Sequence, residues 1–305
     1  MNDSNASWVE RRLLIGALTS QEGSREMADR LAEAVRDLRV EARRVIYRRG
    51  ETGSHVYIVV DGSVRLHAPG ESPWILRAGD GFGFLDLLHE RPHRRTAVTV
   101  TPTHLLAIDG EDWLELLEDS ESLVRALLTD HGRAMLRYAE RWGEFGPFTV
   151  RCDHAPAEFG ADLGLVERLI ALEKCRALRS SGVQPLTSLA SLAREAQLAA
   201  GSAWRPLHAA PEVAFVVQGR IELVGSDGNA LACFGPGELV GTLAVLGGET
   251  APGELRVSLD SRVLSVAVED LFDVVDDHFD LARSLLVLMA SERDWLMGLD
   301  ADGRQ

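Results

Sequence analysis

Tyr57-Ile58-Val59-Val60-Asp61-Gly62-Ser63-Val64-Arg65-Leu66 returns later in the chain as Ala214-Phe215-Val216-Val217-Gln218-Gly219-Arg220-Ile221-Glu222-Leu223, 157 residues on (214 minus 57). In each copy a β-branched and aromatic run meets a polar residue and a glycine, then alternates apolar with charged side chains. That is the pattern of two strands joined by a tight turn. The correspondence extends outward from here. Val9-Glu10-Arg11 matches Val166-Glu167-Arg168 at the same spacing, whereas residues 111–119 match 269–277 at 158, so one residue is gained between the two strands and the helix that follows. Solenoid units run about 20 to 50 residues; the period here is instead that of an independent domain. Residues 55–130 and 213–288 therefore describe one fold used twice.

Within each copy the periodicity changes twice. Residues 8–18 and 22–38 carry apolar side chains at helical spacing, with Ser20 or Ser24 available as caps. From residue 44 to 108 short β-branched and aromatic runs are punctuated by Asp61-Gly62, Pro69-Gly70 and Gly79-Asp80-Gly81, which implies many short strands and a jelly roll or barrel. Residues 111–119 and 123–142 return to helical spacing. The second copy repeats the order, with helices expected at 163–178 and 186–196, strands over 204–268, and helices at 270–275 and 279–299. The fold class is mainly β with flanking α: two tandem β-rolls, domain 1 over residues 1–142 and domain 2 over 161–305. Residues 143–160, with two prolines and three glycines, read as the linker.

Composition narrows the function. The 305 residues carry a formal net charge of −15, which argues against a general role on nucleic acid, where a basic face must neutralise phosphates. Cys152, Cys175 and Cys233 form no Cys-x-x-Cys pair, so neither a zinc site nor a disulfide framework is indicated, and reduced thiols in the cytoplasm are expected. Residues 1–6 lack the basic-then-apolar order of a signal peptide, and no apolar run is long enough to span a membrane.

The stretch Arg48-Arg49-Gly50-Glu51-Thr52-Gly53-Ser54-His55-Val56-Tyr57-Ile58-Val59-Val60-Asp61-Gly62-Ser63-Val64-Arg65-Leu66 resembles the cyclic nucleotide-binding domain family, with its Gly-Glu turn, Tyr-Ile-Val strand and Gly-x-Val hairpin. The resemblance covers the first half and, through the repeat, the second more weakly. It implies a β-roll flanked by helices and a ligand cassette of the form Phe-Gly-Glu-Leu/Ile-Ala/Gly-Leu followed by Arg-Ser/Thr-Ala. In that cassette the Glu takes the ribose 2′-hydroxyl, the Arg pairs with the cyclic phosphate, and amides of a short helix add donors. The first copy reads Phe82-Gly83-Phe84-Leu85-Asp86-Leu87-Leu88, then Arg94-Arg95-Thr96-Ala97. The candidate ligand-binding residues are thus Gly83, Phe84, Leu85, Arg95 and Thr96. Phe84 stands where the resemblance places the Glu, which removes a charged hydrogen bond of about 1.5–3 kcal/mol. Asp86 occupies the small-residue position, where its charge opposes an anion and could pair with Arg95. In the second copy, Val240-Gly241-Thr242-Leu243-Ala244-Val245-Leu246 and Gly253-Glu254-Leu255 keep neither anchor, and Glu254 would set a negative charge near the phosphate position. Glu238 precedes the motif and reads as a turn residue.

Other constellations are weaker. His89 and His93 lie four apart, but Pro92 between them interrupts a helix, so solvated loop histidines are expected rather than metal ligands. Cys152-Asp153-His154 sits in the linker with no oxyanion motif beside it. Neither half holds the His-x-His of a cupin enzyme. No catalytic residue, metal or cofactor is indicated. Leu123, Leu127, Leu128, Met135, Leu136 and Tyr138, and Leu281, Leu285, Leu286, Leu288 and Met289, form apolar stripes on the closing helices; they either cover their own barrels or, as in family members, make a dimer or dock a partner. Transcription regulators that resemble the first half add a helix-turn-helix, which is not expected here. Two functions follow: a non-catalytic adaptor or scaffold that binds other proteins or itself, or a regulatory subunit that senses a cyclic nucleotide or another small anion through the pocket at Arg95.

Overall fold

The computed structural model describes residues 32–71, 73–139, 148–149, 162–204, 207–208, 211–241 and 253–296. The chain divides into two compact units, residues 1–126 with 290–305, and residues 127–289.

The first unit is a jelly roll of two four-stranded sheets. One has the order β1-β8-β3-β6, from Val35–Val40 (β1), Thr103–Asp109 (β8), His55–Asp61 (β3) and Gly81–Phe82 (β6); the other has the order β2-β7-β4-β5, from Val45–Tyr47 (β2), Thr96–Thr99 (β7), Val64–His67 (β4) and Trp74–Leu76 (β5). Side chains alternate across each strand, so Val64 and Leu66 are buried while Arg65 faces solvent. Val59, Phe82 and Leu105 from one sheet meet Tyr47, Val64, Leu66, Trp74, Leu76 and Ala97 from the other, forming a single core cluster. Each large side chain buried there contributes about 1.5–3 kcal/mol. Among the described residues, α1 (Phe84–Leu88) and α2 (Gly110–Glu118) belong to this unit, and α3 (Glu121–Ala139) begins in it and continues past Ala126 into the next. The Asp109 carboxylate starts α2 by accepting from Glu111 N at 3.0 Å, and Trp113, Leu116 and Leu117 bury its inner face.

The second unit repeats the plan with longer strands. Glu212–Val224 (β11) runs through what the first unit divides into β3 and β4, and Glu254–Ala267 (β14) through β7 and β8. They pair antiparallel, with register shifts between Val216 and Ile221 where β11 bends. Arg194–Leu198 (β10), Ala230–Phe234 (β12), Leu239–Val240 (β13) and Phe148–Thr149 (β9) complete the sheet. Its helices are α4 (Leu165–Glu173), α5 (Val183–Leu192), α6 (Val268–Asp277) and α7 (Phe279–Leu296), with a 3-10 turn at Arg176–Leu178.

Backbone hydrogen bonds show the duplication atom by atom. Val59 exchanges bonds with the turn before β6 (Val59 N to Asp80 O, 3.0 Å; Gly79 N to Val59 O, 2.8 Å), and Val216 does the same before β13 (Val216 N to Glu238 O, 2.9 Å; Gly237 N to Val216 O, 2.8 Å). The extra residue lies in the β11–β12 hairpin: Leu66 faces Trp74, Leu223 faces Ala232, and the register slips immediately after Leu223.

Three expectations change. The helix expected over 22–38 ends before Val35, which opens β1, and the helix expected over 186–196 ends at Leu192, before β10. Both are edge strands, β1 mostly exposed and β10 half-buried, with Arg, Asp, Glu, Ala, Gln and Leu outnumbering β-branched residues, and pairing with β8 and β14 overrides their local preference. Phe148–Thr149, inside the stretch read as a linker, pairs parallel with β12. The helix expected over 8–18 lies outside the described residues. On the closing helices, Leu123, Leu128, Leu281, Leu285, Leu286, Leu288 and Met289 are buried.

Gly62 and Gly219 occupy the same corner with φ of +88° and +90°. A Cβ on Gly62 would lie 2.5 Å from Pro102 O, and one on Gly219 2.3 Å from Asp260 O. Left-handed strain alone costs on the order of 1–3 kcal/mol, so Gly62→Ala and Gly219→Ala are each expected to lower stability by at least about 2 kcal/mol, read from urea midpoints.

Candidate functional site

The first unit holds a small, partly open cleft between the β4–β5 hairpin and α1. The alternation that builds the core also builds its walls: Leu66, Trp74 and Leu76 from the hairpin and Tyr47 from β2 line one side, and Phe82, Gly83, Phe84 and Leu85 the other. Gly83 has φ +91°, and a Cβ there would lie 2.6 Å from His55 O, so only glycine fits where β6 turns into α1.

Arg95 sits immediately before β7, with its side chain 5% exposed. Its guanidinium lies over the Trp74 ring, 4.5 Å from the centroid, a cation–π contact strengthened by removal from water. Nη2 is 2.6 Å from Oε2 of Glu71, at the tip of the β4–β5 hairpin. The two atoms are at ion-pair distance without the alignment of a hydrogen bond, so charge rather than N–H direction holds them. An internal carboxylate therefore occupies the side chain that the family resemblance assigns to a ligand's anion.

Asp86 has other partners than the Arg95 expected from sequence. Its carboxylate accepts from Arg91 Nε at 2.9 Å, from His93 Nδ1 at 3.3 Å and from Arg94 N at 3.3 Å. The cause is the turn after α1, where Glu90 takes φ +51° and brings residues 91–94 back over the helix. Burial alone would raise the Asp86 carboxyl, but the His93 and Arg91 hydrogen bonds, the Arg91 charge and the Arg94 amide together hold it below its usual range. His93, expected as a solvated loop residue, is 3% exposed and stacks on Tyr47 at 3.6 Å.

Of the five candidate residues, Gly83, Phe84, Leu85 and Arg95 line the cleft. Thr96 does not; its Oγ1 accepts from Arg49 N at 3.0 Å. Sequence reasoning missed Trp74 and Glu71. The signal for Trp74 was the two-residue alternation Trp74-x-Leu76, which continues the inward face of Val64-x-Leu66. For Glu71 there was none, because a turn residue has no periodicity to place it.

In the second unit Gly241, with φ +92°, matches Gly83, while Thr242-Leu243-Ala244-Val245-Leu246 lies outside the described residues. Pairing fixes the rest. Leu66 faces Ala97 and Leu223 faces Leu255, so Gly253 is the counterpart of Arg95. A Cβ on Gly253 would lie 2.2 Å from Val224 O, leaving the hairpin backbone where a side chain would start. Glu254, expected near the phosphate position, instead has a side chain 79% exposed, 3.6 Å from Arg256. Glu238 is a turn residue, as expected, and its buried carboxylate meets Arg176 at 3.2 Å. Burial pushes it up, against the opposing charge of Arg176. Cys175, pushed up to about 12 by burial, is an inert thiol. Among the described residues no group of three or more His, Cys, Asp or Glu could hold a metal ion, and no helix is long and apolar enough to cross a membrane.

A model of the cyclic nucleotide-binding domain matches residues 37–120 and 205–278, more than half of the chain, and the chain belongs to that family. It is 35% identical over 99 residues to Rap guanine nucleotide exchange factor 1 from Caenorhabditis elegans, covering 32% of this chain and 9% of that protein. It is 38% identical over 77 residues to the cyclic AMP receptor protein from Thermus thermophilus, covering 24% of this chain and 36% of the relative. The chain thus spans about a third or less of the length of these relatives. Among solved structures it is similar to the regulatory subunit of a cAMP-independent protein kinase A from Trypanosoma brucei, at 16% identity and a TM-score of 0.35, over 97% of this chain and 91% of the other.

A carboxyl held low in the folded state contributes stability above its unfolded pKa and loses it as the pH falls through the folded one. The advantage of the wild type over Asp86→Asn is therefore expected to be about 1–3 kcal/mol at pH 7 and to narrow as the pH drops below 3.8, the usual value for Asp. Urea unfolding across that range measures it.

Proposed function

We propose that the chain is a non-catalytic adaptor in which two cyclic nucleotide-binding folds serve as surfaces for protein partners in a cytoplasmic regulatory assembly. One observation carries this reading: among the described residues, neither unit offers an open anion anchor. In the first, Glu71 already sits on Arg95; in the second, the hairpin backbone fills the space beside Gly253. An ordinary cyclic nucleotide must expel Glu71 and then place its ribose hydroxyl against Phe84, where a hydroxyl stripped of water without an acceptor costs about 1–3 kcal/mol. The family match supports a regulatory role. Arg43, Arg44, Arg48 and Arg49, exposed on either side of β2 on a chain of net charge −15, suit a partner with an acidic face.

A second reading, a regulatory subunit that responds to a small anion, is favoured by the placement of Glu71. Its carboxylate is carried on the turn closed by Glu71 N to Ala68 O at 3.3 Å and not on a sheet strand, so it can leave Arg95 without unpairing the barrel.

Calorimetric titration with cyclic AMP and cyclic GMP is expected to give no specific heat, while the tagged chain retains a stable protein complex in which Arg95→Ala has no effect. Cyclic nucleotide heat that disappears in Arg95→Ala would overturn the adaptor reading.

A further inference from the structure

We propose that the cleft of the first unit takes an organic carboxylate with a flat apolar body, of the class represented by 1-naphthoate, in place of a sugar phosphate. The inference rests on the second reading above and names its ligand. The Arg95 guanidinium, buried and braced on Trp74, is already shown to accept a carboxylate, because Oε2 of Glu71 lies 2.6 Å from it. A free carboxylate reproduces that pairing as Glu71 swings to solvent. No covalent step is involved.

The walls choose the body. Phe84 replaces the acceptor that a sugar needs, and with Leu66, Leu76 and Leu85 it offers apolar surface to a ring. Burying an aryl face there gains free energy in proportion to its area, whereas a sugar would strand hydroxyls. Charge then chooses the head group. Arg94 and Arg95 stand against Asp86 and Glu71, so the cleft is close to balanced, and Asp86 is committed to Arg91 and His93. Exchanging one carboxylate for another keeps that balance, while a dianionic phosphate monoester would leave a negative charge in excess beside Asp86.

The test is calorimetry with 1-naphthoate and, in parallel, cyclic AMP, on the full chain and four variants. Naphthoate is expected to bind the wild type and to bind Glu71→Gln about tenfold more tightly, since the internal competitor has lost its charge. Arg95→Leu is expected to abolish the heat, with Arg95→Lys weakening it about tenfold or more. Phe84→Glu is expected to weaken naphthoate by a similar factor and to introduce cyclic AMP binding. Glu71→Gln changes a part-buried turn residue outside the core cluster, so the competition can be read even where Arg95→Leu fails to fold. The proposal is overturned by naphthoate heat of equal size in Arg95→Leu, or by its absence from both wild type and Glu71→Gln. Arg95-dependent binding of cyclic AMP without naphthoate would overturn the ligand class and leave the ligand-responsive reading standing. No binding of either compound to wild type and Glu71→Gln would remove both.

Discussion

The two long antiparallel pairings, β3 with β8 and β11 with β14, constrain everything else in this chain. Each fixes the register of the strands beside it, and each runs into a corner where the backbone approaches so closely that only Gly62 or Gly219 fits. A side chain at either corner would push apart the segments that deliver the outer strands. Because register sets which face of a strand looks inward, these pairings also decide which residue precedes β7 or β14 beside the hairpin. In one unit that residue is Arg95, in the other Gly253.

From that common frame the two hairpins diverge. In the first unit a turn of ordinary length lets Trp74 lie flat beneath the guanidinium and lets Glu71 reach it from above. In the second, the added residue shifts the pairing after Leu223, and the Val224 carbonyl moves onto Gly253. Loop length costs little free energy in itself. Its effect here is geometric, deciding whether the last turn of the barrel wall encloses space or fills it.

Much of this was legible in the sequence. The repeat, the tight turns and the alternation of Val64-x-Leu66 carry a period that survives folding, and so does the glycine at position 83, whose backbone geometry admits nothing else. Arg95 was legible through its neighbours in the motif. What escaped notice depends on long-range pairing or on turns. β1 and β10 have helix-tolerant compositions and become strands only because β8 and β14 present free edges to them. Asp86 and His93 meet because of one left-handed residue, Glu90, that no periodicity announces. Glu71 reaches Arg95 across a hairpin whose length, not whose pattern, sets the distance.

The carbonyl against Gly253 also limits what substitution alone could achieve in the second unit. A binding site that loses an arginine by substitution can regain it by the reverse substitution, since the vacancy persists. Here main chain fills the space, so housing an arginine at position 253 would demand a deletion in the hairpin as well as the substitution.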